Sequence, residues 1–128
     1  MKNVLKKLNI DRLIIAVYKA LFQLVGMFPP KSKQVVFESF LGKQYSCNPR
    51  AIYEYMLQNK PQYNLIWSVD KRYTKVFDDL GIPYAKRFSL KWLFVMARSK
   101  YWISNSRLPL WIPKPRHTVY LQTWHGTP

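Results

Sequence analysis

At 128 residues the chain can build one domain with a full core but not two, and with 48% apolar and 16% aromatic residues it is not a disordered segment. Its 21 Lys and Arg against 6 acids give a net charge of +15, which calls for an anionic partner: nucleic acid, acidic lipid headgroups or a phosphate-rich substrate. The single cysteine, Cys47, excludes an intrachain disulfide, and Cys47, His117 and His125 lack the spacing of a structural zinc site, so no metal or other cofactor is implied.

The N-terminus sets Lys2, Lys6, Lys7 and Arg12 before an apolar stretch from Leu13 to Phe28. No small-residue cleavage site follows, so a secretory signal does not fit. A membrane-spanning helix needs ~20 apolar residues, and Lys19 at a bilayer centre would cost roughly 2.5–3.5 kcal/mol. On a helical wheel, Arg12, Ala16, Lys19, Gln23 and Gly26 form a narrow polar stripe, opposite Ile10, Ile14, Val17, Leu21, Leu24 and Phe28. That pattern fits a basic amphipathic helix lying in the headgroup region of an anionic membrane surface; the alternative is an ordinary core helix. Pro29 and Pro30 end it, dividing residues 1–30 from a domain over 31–128.

From Lys33 onward, strand-like and helical runs alternate. Gln34 to Phe40 reads as a strand and Gly42 to Cys47 as a loop. Asn48 is the expected cap of a helix that opens on Pro49 and runs to about Asn59. Tyr63 to Val69 is a second strand. Asp70 caps a helix through Tyr73, Val76, Phe77 and Leu80, closed by Gly81. A short strand at Ile82 to Ala85 precedes a helix capped by Ser89, with Leu90, Leu93, Phe94 and Ala97 on one face. Lys100 to Ser104 and Thr118 to Thr123 complete the strands. Such alternation predicts an α/β fold with a Rossmann-like, doubly wound parallel sheet. In these sheets ligands bind outside the carboxyl ends of the strands. The loops 42–46, 105–107 and 125–128 should therefore meet at one edge.

His125, between Trp124 and Gly126 at a strand's end, suits a general base for a hydroxyl, although an isolated histidine there can equally cap a loop. Gly126 and Thr127 are either part of that site or turn chemistry. Gly42, Lys43, Tyr45, Ser46 and Asn48 lead into a helix N-terminus, where an anion or a simple capped turn fits. Asn105, Ser106 and Arg107 form a compact donor set, and Arg107 can grip a phosphate. The remaining basic residues, Lys71, Arg72, Lys86, Arg87, Lys91, Arg98 and Lys100, read as solvated or lipid-facing surface. His117 falls at the opposite edge and reads as structural.

Together, Phe37-Glu38-Ser39-Phe40, Gly42, Tyr45, Ser46, Asn48-Pro49 and Ile52-Tyr53-Glu54-Tyr55-Met56 resemble the opening of the CDP-glycerol glycerophosphotransferases of teichoic-acid synthesis. Tyr101 to Arg107 and Leu121 to Pro128 match two further segments of that family in order and spacing. The resemblance implies the N-terminal, acceptor-side domain of a glycosyltransferase-B-like fold at the cytoplasmic face of the cell membrane. It also implies transfer of glycerol phosphate or ribitol phosphate from a CDP-glycerol or CDP-ribitol donor to a lipid-linked polyol-phosphate acceptor. His125 maps onto the family's first catalytic histidine, the base for the acceptor hydroxyl. A groove for a polyanionic acceptor accounts for the +15 charge without nucleic acid. The chain reads as interrupted after His125-Gly126-Thr127-Pro128, with the donor half expected beyond it. The competing reading is a non-catalytic basic module that binds membrane or nucleic acid.

Overall fold

The computed structural model describes residues 2–106, 108 and 112–123, with the side chains of the first helix from Lys6 onward except Leu8. The elements are α1 (Lys2–Gly26), β1 (Lys31–Glu38), a 3-10 turn (Phe40–Gly42), α2 (Cys47–Asn59), β2 (Asn64–Val69), α3 (Thr74–Leu80), β3 (Tyr84–Lys86), α4 (Leu90–Arg98), β4 (Ser99–Ser104) and β5 (Val119–Gln122). The strands form one parallel sheet in the order β3-β2-β1-β4-β5. β1 is buried from Gln34 to Glu38, as a strand covered on both faces must be, and its Val35-Val36-Phe37 run supplies both. Val35 and Phe37 join Tyr53, Leu65, Trp67, Val69 and Phe77 in one core. Val36 joins Phe22, Trp92, Leu93, Met96 and Trp102 in the other. Because β4 returns to the far side of β1, the strand order reverses between β1 and β4, and sheets of this kind bind ligands at the carboxyl ends on either side of such a switch point.

α1 carries more apolar surface than the domain covers. Phe22 and Val25 are buried, Tyr18 packs on Trp92, and Phe22 meets the edges of Trp92 and Trp102. The flank expected to be apolar stays open: Ile14, Leu24 and Phe28 are 58%, 57% and 60% exposed. The inner flank thus belongs to the core, and the outer flank has no partner among the described residues. No helix among the described residues is long and apolar enough to cross a membrane.

Three local expectations shift. α2 starts at Cys47 with Ser46 at its cap position, so Asn48 falls inside the helix; Ser39 Oγ donates to Ser46 O at 2.8 Å and fixes the earlier turn. α3 starts at Thr74, and Asp70 instead accepts the Arg72 N–H at 2.9 Å in a local turn, while Gly81 (φ 67°) ends the helix as its sequence predicts. Ser89 does cap α4 through the Trp92 N–H, but the buried face is Trp92, Leu93, Met96 and Ala97, with Leu90 and Phe94 exposed. That helix is apolar on nearly every side, so periodicity leaves its rotation open. Trp92 decides it, by donating its indole N–H to Ser68 Oγ at 2.7 Å inside the core.

Candidate functional site

The switch point between β1 and β4 is built from two loops that are distant in sequence. After β1 the chain turns through Phe40, Leu41 and Gly42, all at positive φ (47°, 60° and 81°). For Phe40 and Leu41 this conformation is unfavourable, and the β4 loop holds it. Phe40 N–H donates to Asn105 Oδ1 at 2.8 Å, and Leu41 N–H donates to Ser106 Oγ at 3.0 Å. Asn105 is fully buried, and its Nδ2 has no hydrogen-bond partner among the described residues. Asn105 and Ser106 therefore shape the first loop as well as lining the edge.

Gly42 has no substitute here. A Cβ would stand 2.6 Å from the Asp70 backbone nitrogen and 3.0 Å from Arg87 Cδ, and Gly42 O accepts the Asp70 N–H at 2.8 Å. Gly42→Ala adds that clash to a left-handed backbone cost of about 1–2 kcal/mol. It should lower the free energy of unfolding by at least that much, seen as a lower urea midpoint with an unchanged slope; an unaltered midpoint would mean that the loop relaxes freely.

The rest of the loop is anchored rather than open. The Tyr45 ring sits against Tyr53, Trp67 and Phe77, and its hydroxyl donates to Glu54 Oε1 at 2.9 Å. Burial, and then Glu54, push the Tyr45 hydroxyl up to about 12. Ser46 Oγ donates to Gln44 Oε1 at 2.9 Å, Asn48 is exposed in the first turn of α2, and half-buried Lys43 acts electrostatically on Asp70.

A buried ion pair supports this edge from below. Glu38, at the end of β1, is 3% exposed and lies 2.9 Å from Arg87 Nε. Ser68 Oγ donates to Glu38 Oε1 at 2.7 Å, and Arg87 Nη1 donates to Leu41 O at 3.3 Å. Burial raises the Glu38 carboxyl above its ordinary range, with Arg87 and Ser68 opposing. Sequence reasoning assigned Arg87 to the solvated surface and gave Glu38 no role. The available signal was a lone acid in the apolar run Val35-Val36-Phe37-Glu38, since a carboxylate at the end of a doubly covered strand needs a cation.

Arg107, His125, Gly126 and Thr127 lie outside the described residues. Their approach is described: Ser104 O accepts the Thr123 N–H at 2.8 Å, and Tyr120 OH donates to Ser106 O at 3.0 Å. β5 thus brings the chain to the same carboxyl edge at Thr123. His117 is at the opposite edge, its Nε2 3.1 Å from Ala97 O. The described residues contain no group of three or more potential metal ligands.

Comparison with known proteins gives a consistent result. A family model described as CDP-Glycerol:Poly(glycerophosphate) glycerophosphotransferase matches residues 20–128. A teichoic acid poly(glycerol phosphate) polymerase of Bacillus subtilis (strain 168) is 65% identical over 118 residues, covering 92% of this chain and 16% of the relative. A teichoic acid glycerol-phosphate transferase of Staphylococcus aureus (strain NCTC 8325 / PS 47) is 46% identical over 127 residues, covering 99% of this chain and 31% of the relative. Among solved structures, a variant of the wall teichoic acid polymerase TagF soaked with CDPG is similar at a TM-score of 0.75 and 33% identity, over 99% of this chain and 31% of that one. The chain therefore spans between 16% and 31% of the length of these proteins.

Proposed function

The chain belongs to the CDP-glycerol:poly(glycerophosphate) glycerophosphotransferase family, and we propose that it forms the acceptor-side domain of an enzyme with a glycosyltransferase-B-like fold that extends a poly(glycerol phosphate) chain. The observation that carries this reading is the meeting of the Phe40–Ser46 loop with Asn105 and Ser106 at the sheet's switch point, beside the strand that leads to His125. In the proposed reaction the terminal hydroxyl of a lipid-linked acceptor attacks the β-phosphorus of CDP-glycerol. The new phosphorus–oxygen bond forms as the bond to CMP breaks, and His125 takes the hydroxyl proton. Arg107, Gly126 and Thr127 complete the edge around the acceptor phosphate. Two relatives are named for poly(glycerol phosphate) and glycerol-phosphate transfer, which favours glycerol over ribitol in the donor. The test is CMP release by the full-length protein from CDP-glycerol and from CDP-ribitol, with a glycerol-phosphate-primed lipid. No release from either donor would end this reading.

The same proposal places the protein on the cytoplasmic face of the membrane, with the outer flank of α1 in the headgroup layer. Supporting it are the exposed Ile10, Ile14, Val17, Leu24 and Phe28 and the basic residues Lys6, Lys7 and Arg12 at one end. Removing the whole helix would also uncover Trp92 and Trp102, so the informative variant alters the outer flank alone. The triple change Ile14→Ser, Val17→Ser and Leu24→Ser leaves Tyr18, Phe22 and Val25 in place and removes roughly 1.5–3 kcal/mol of burial per site. It should abolish sedimentation with phosphatidylglycerol vesicles, whereas high salt should release the unaltered protein only in part. Undiminished sedimentation of the triple variant would refute membrane seating through this face.

A further inference from the structure

Beside the β1/β4 switch point, the carboxyl ends of β2 and β3 open on a cavity of about 560 Å³, lined by Asp70, Lys71, Arg72, Lys86, Arg87, Phe88 and Ser89. Its charge is uneven. Arg72 is held by Asp70 through paired 3.1 Å bonds, and Arg87 by buried Glu38. Lys71 and Lys86 are exposed and have no carboxylate partner among the described residues, which leaves an excess of two positive charges. Half-buried Lys43 adds a cation on the neighbouring loop, close enough to act on Asp70. Arg87 is fixed by Glu38, by its Nη1 bond to Leu41 O and by its backbone N–H bond to Val69 O, so the base of this wall is anchored.

Two placements indicate what such a cavity would take. Three strand spacings separate β2 from β5, roughly 14 Å. That is farther than one polyol phosphate unit reaches, so an anion here is separate from one held at the end of β5. On the other side, Tyr18 OH of α1 donates to Ser89 O at 2.9 Å, which joins the cavity wall to the helix with the open apolar flank. The cavity therefore borders α1, where a lipid-tethered polyanion extending along the carboxyl edge of the sheet can reach it. We propose that the cavity is a holding subsite for a phosphodiester of the acceptor chain, behind the reacting hydroxyl; the assignment rests on the glycerophosphotransfer reading above. Lys71 and Lys86 supply the charge, and Arg87 the fixed donor. The site keeps a growing chain engaged after each addition, so it recognises polymer length rather than the terminal unit.

The test is binding, not turnover. Lipid-free glycerol phosphate oligomers of increasing length, inorganic phosphate and phosphatidylglycerol vesicles are titrated against the full-length protein and against the double variant Lys71→Ala, Lys86→Ala. Affinity of the unaltered protein should rise with oligomer length, and the double variant should bind the long oligomer about tenfold more weakly. The double variant Lys71→Arg, Lys86→Arg should recover most of that loss. Equal affinity of the alanine variant and the unaltered protein for the long oligomer would overturn the proposal. A loss confined to the vesicles would overturn it too, by making the cavity a lipid-headgroup site. CMP release by the unaltered protein is scored separately: absent turnover with lysine-dependent oligomer binding removes the transfer reading, and normal turnover with lysine-independent binding removes the subsite.

Discussion

Replacing His125 by alanine is expected to lower turnover of CDP-glycerol by roughly 10²–10⁴-fold, the usual effect of removing a general base. The acceptor hydroxyl is a weak nucleophile near neutrality, and the donor's β-phosphoryl group repels an anion, so proton removal must accompany bond formation. An imidazole has an ordinary pKa of ~6.5, which suits that timing. The strand that precedes it ends with Thr123 bonded to Ser104, at the edge where Asn105 and Ser106 meet the Phe40–Gly42 turn. His117→Ala is the matched control. That ring contacts Ala97 O before β5 begins, so its loss should cost stability and leave the chemical step alone. Vesicle and oligomer binding by the His125→Ala protein should match the unaltered protein. Full turnover with His125 removed would take this residue out of the mechanism.

Glu38→Ala is expected to be the most damaging single change to stability described here, at about 3–5 kcal/mol, because it leaves Arg87, whose side chain is only 12% exposed, without its anion. Against a typical domain stability of ~5–15 kcal/mol this is a large fraction. The loss comes from the orphaned charge, so removing both charges should be milder: the double variant Glu38→Leu, Arg87→Met should recover a large part of it. Urea denaturation of Glu38→Leu, Arg87→Met and the double variant measures the coupling directly. If the two single losses simply add in the double variant, Glu38 and Arg87 do not act as a pair. If they couple, the Phe40–Gly42 turn should loosen in Glu38→Ala, because Arg87 also donates to Leu41 O.

The alternation of strands and helices from Lys33 onward was enough to place every strand within a few residues and to imply the parallel sheet. Turn chemistry also gave Gly81 and Ser89 their roles, since a left-handed C-cap and a hydroxyl N-cap are decided locally. Long-range contacts were less legible. Nothing near Arg87 in sequence announces Glu38, 49 positions earlier, and charge alone made Arg87 look like its exposed neighbours. α4 failed in a different way, because a helix apolar on most sides offers no unique inner face until Trp92 finds Ser68. On α1, the wheel identified the flank that stays open and overlooked the adjacent Tyr18, Phe22 and Val25, which the sheet's second layer selects. At the candidate site, the sequence named the loops, and only the fold shows Asn105 and Ser106 holding the Phe40–Gly42 turn.

The packing of α1 also has a consequence in time. Tyr18 is paired with Ser89, 71 residues later in the chain, and Phe22 rests on Trp92 and Trp102. At ~5–20 residues per second, a ribosome finishes α1 about 4–14 seconds before it has made the surface on which α1 packs. During that interval both apolar flanks of the helix are uncovered. Helix formation takes microseconds or less, so the segment has ample opportunity to meet a bilayer while the sheet is still being translated. If the outer flank seats on lipid as proposed, synthesis order lets it do so first, with the domain assembling afterwards onto a helix already in place.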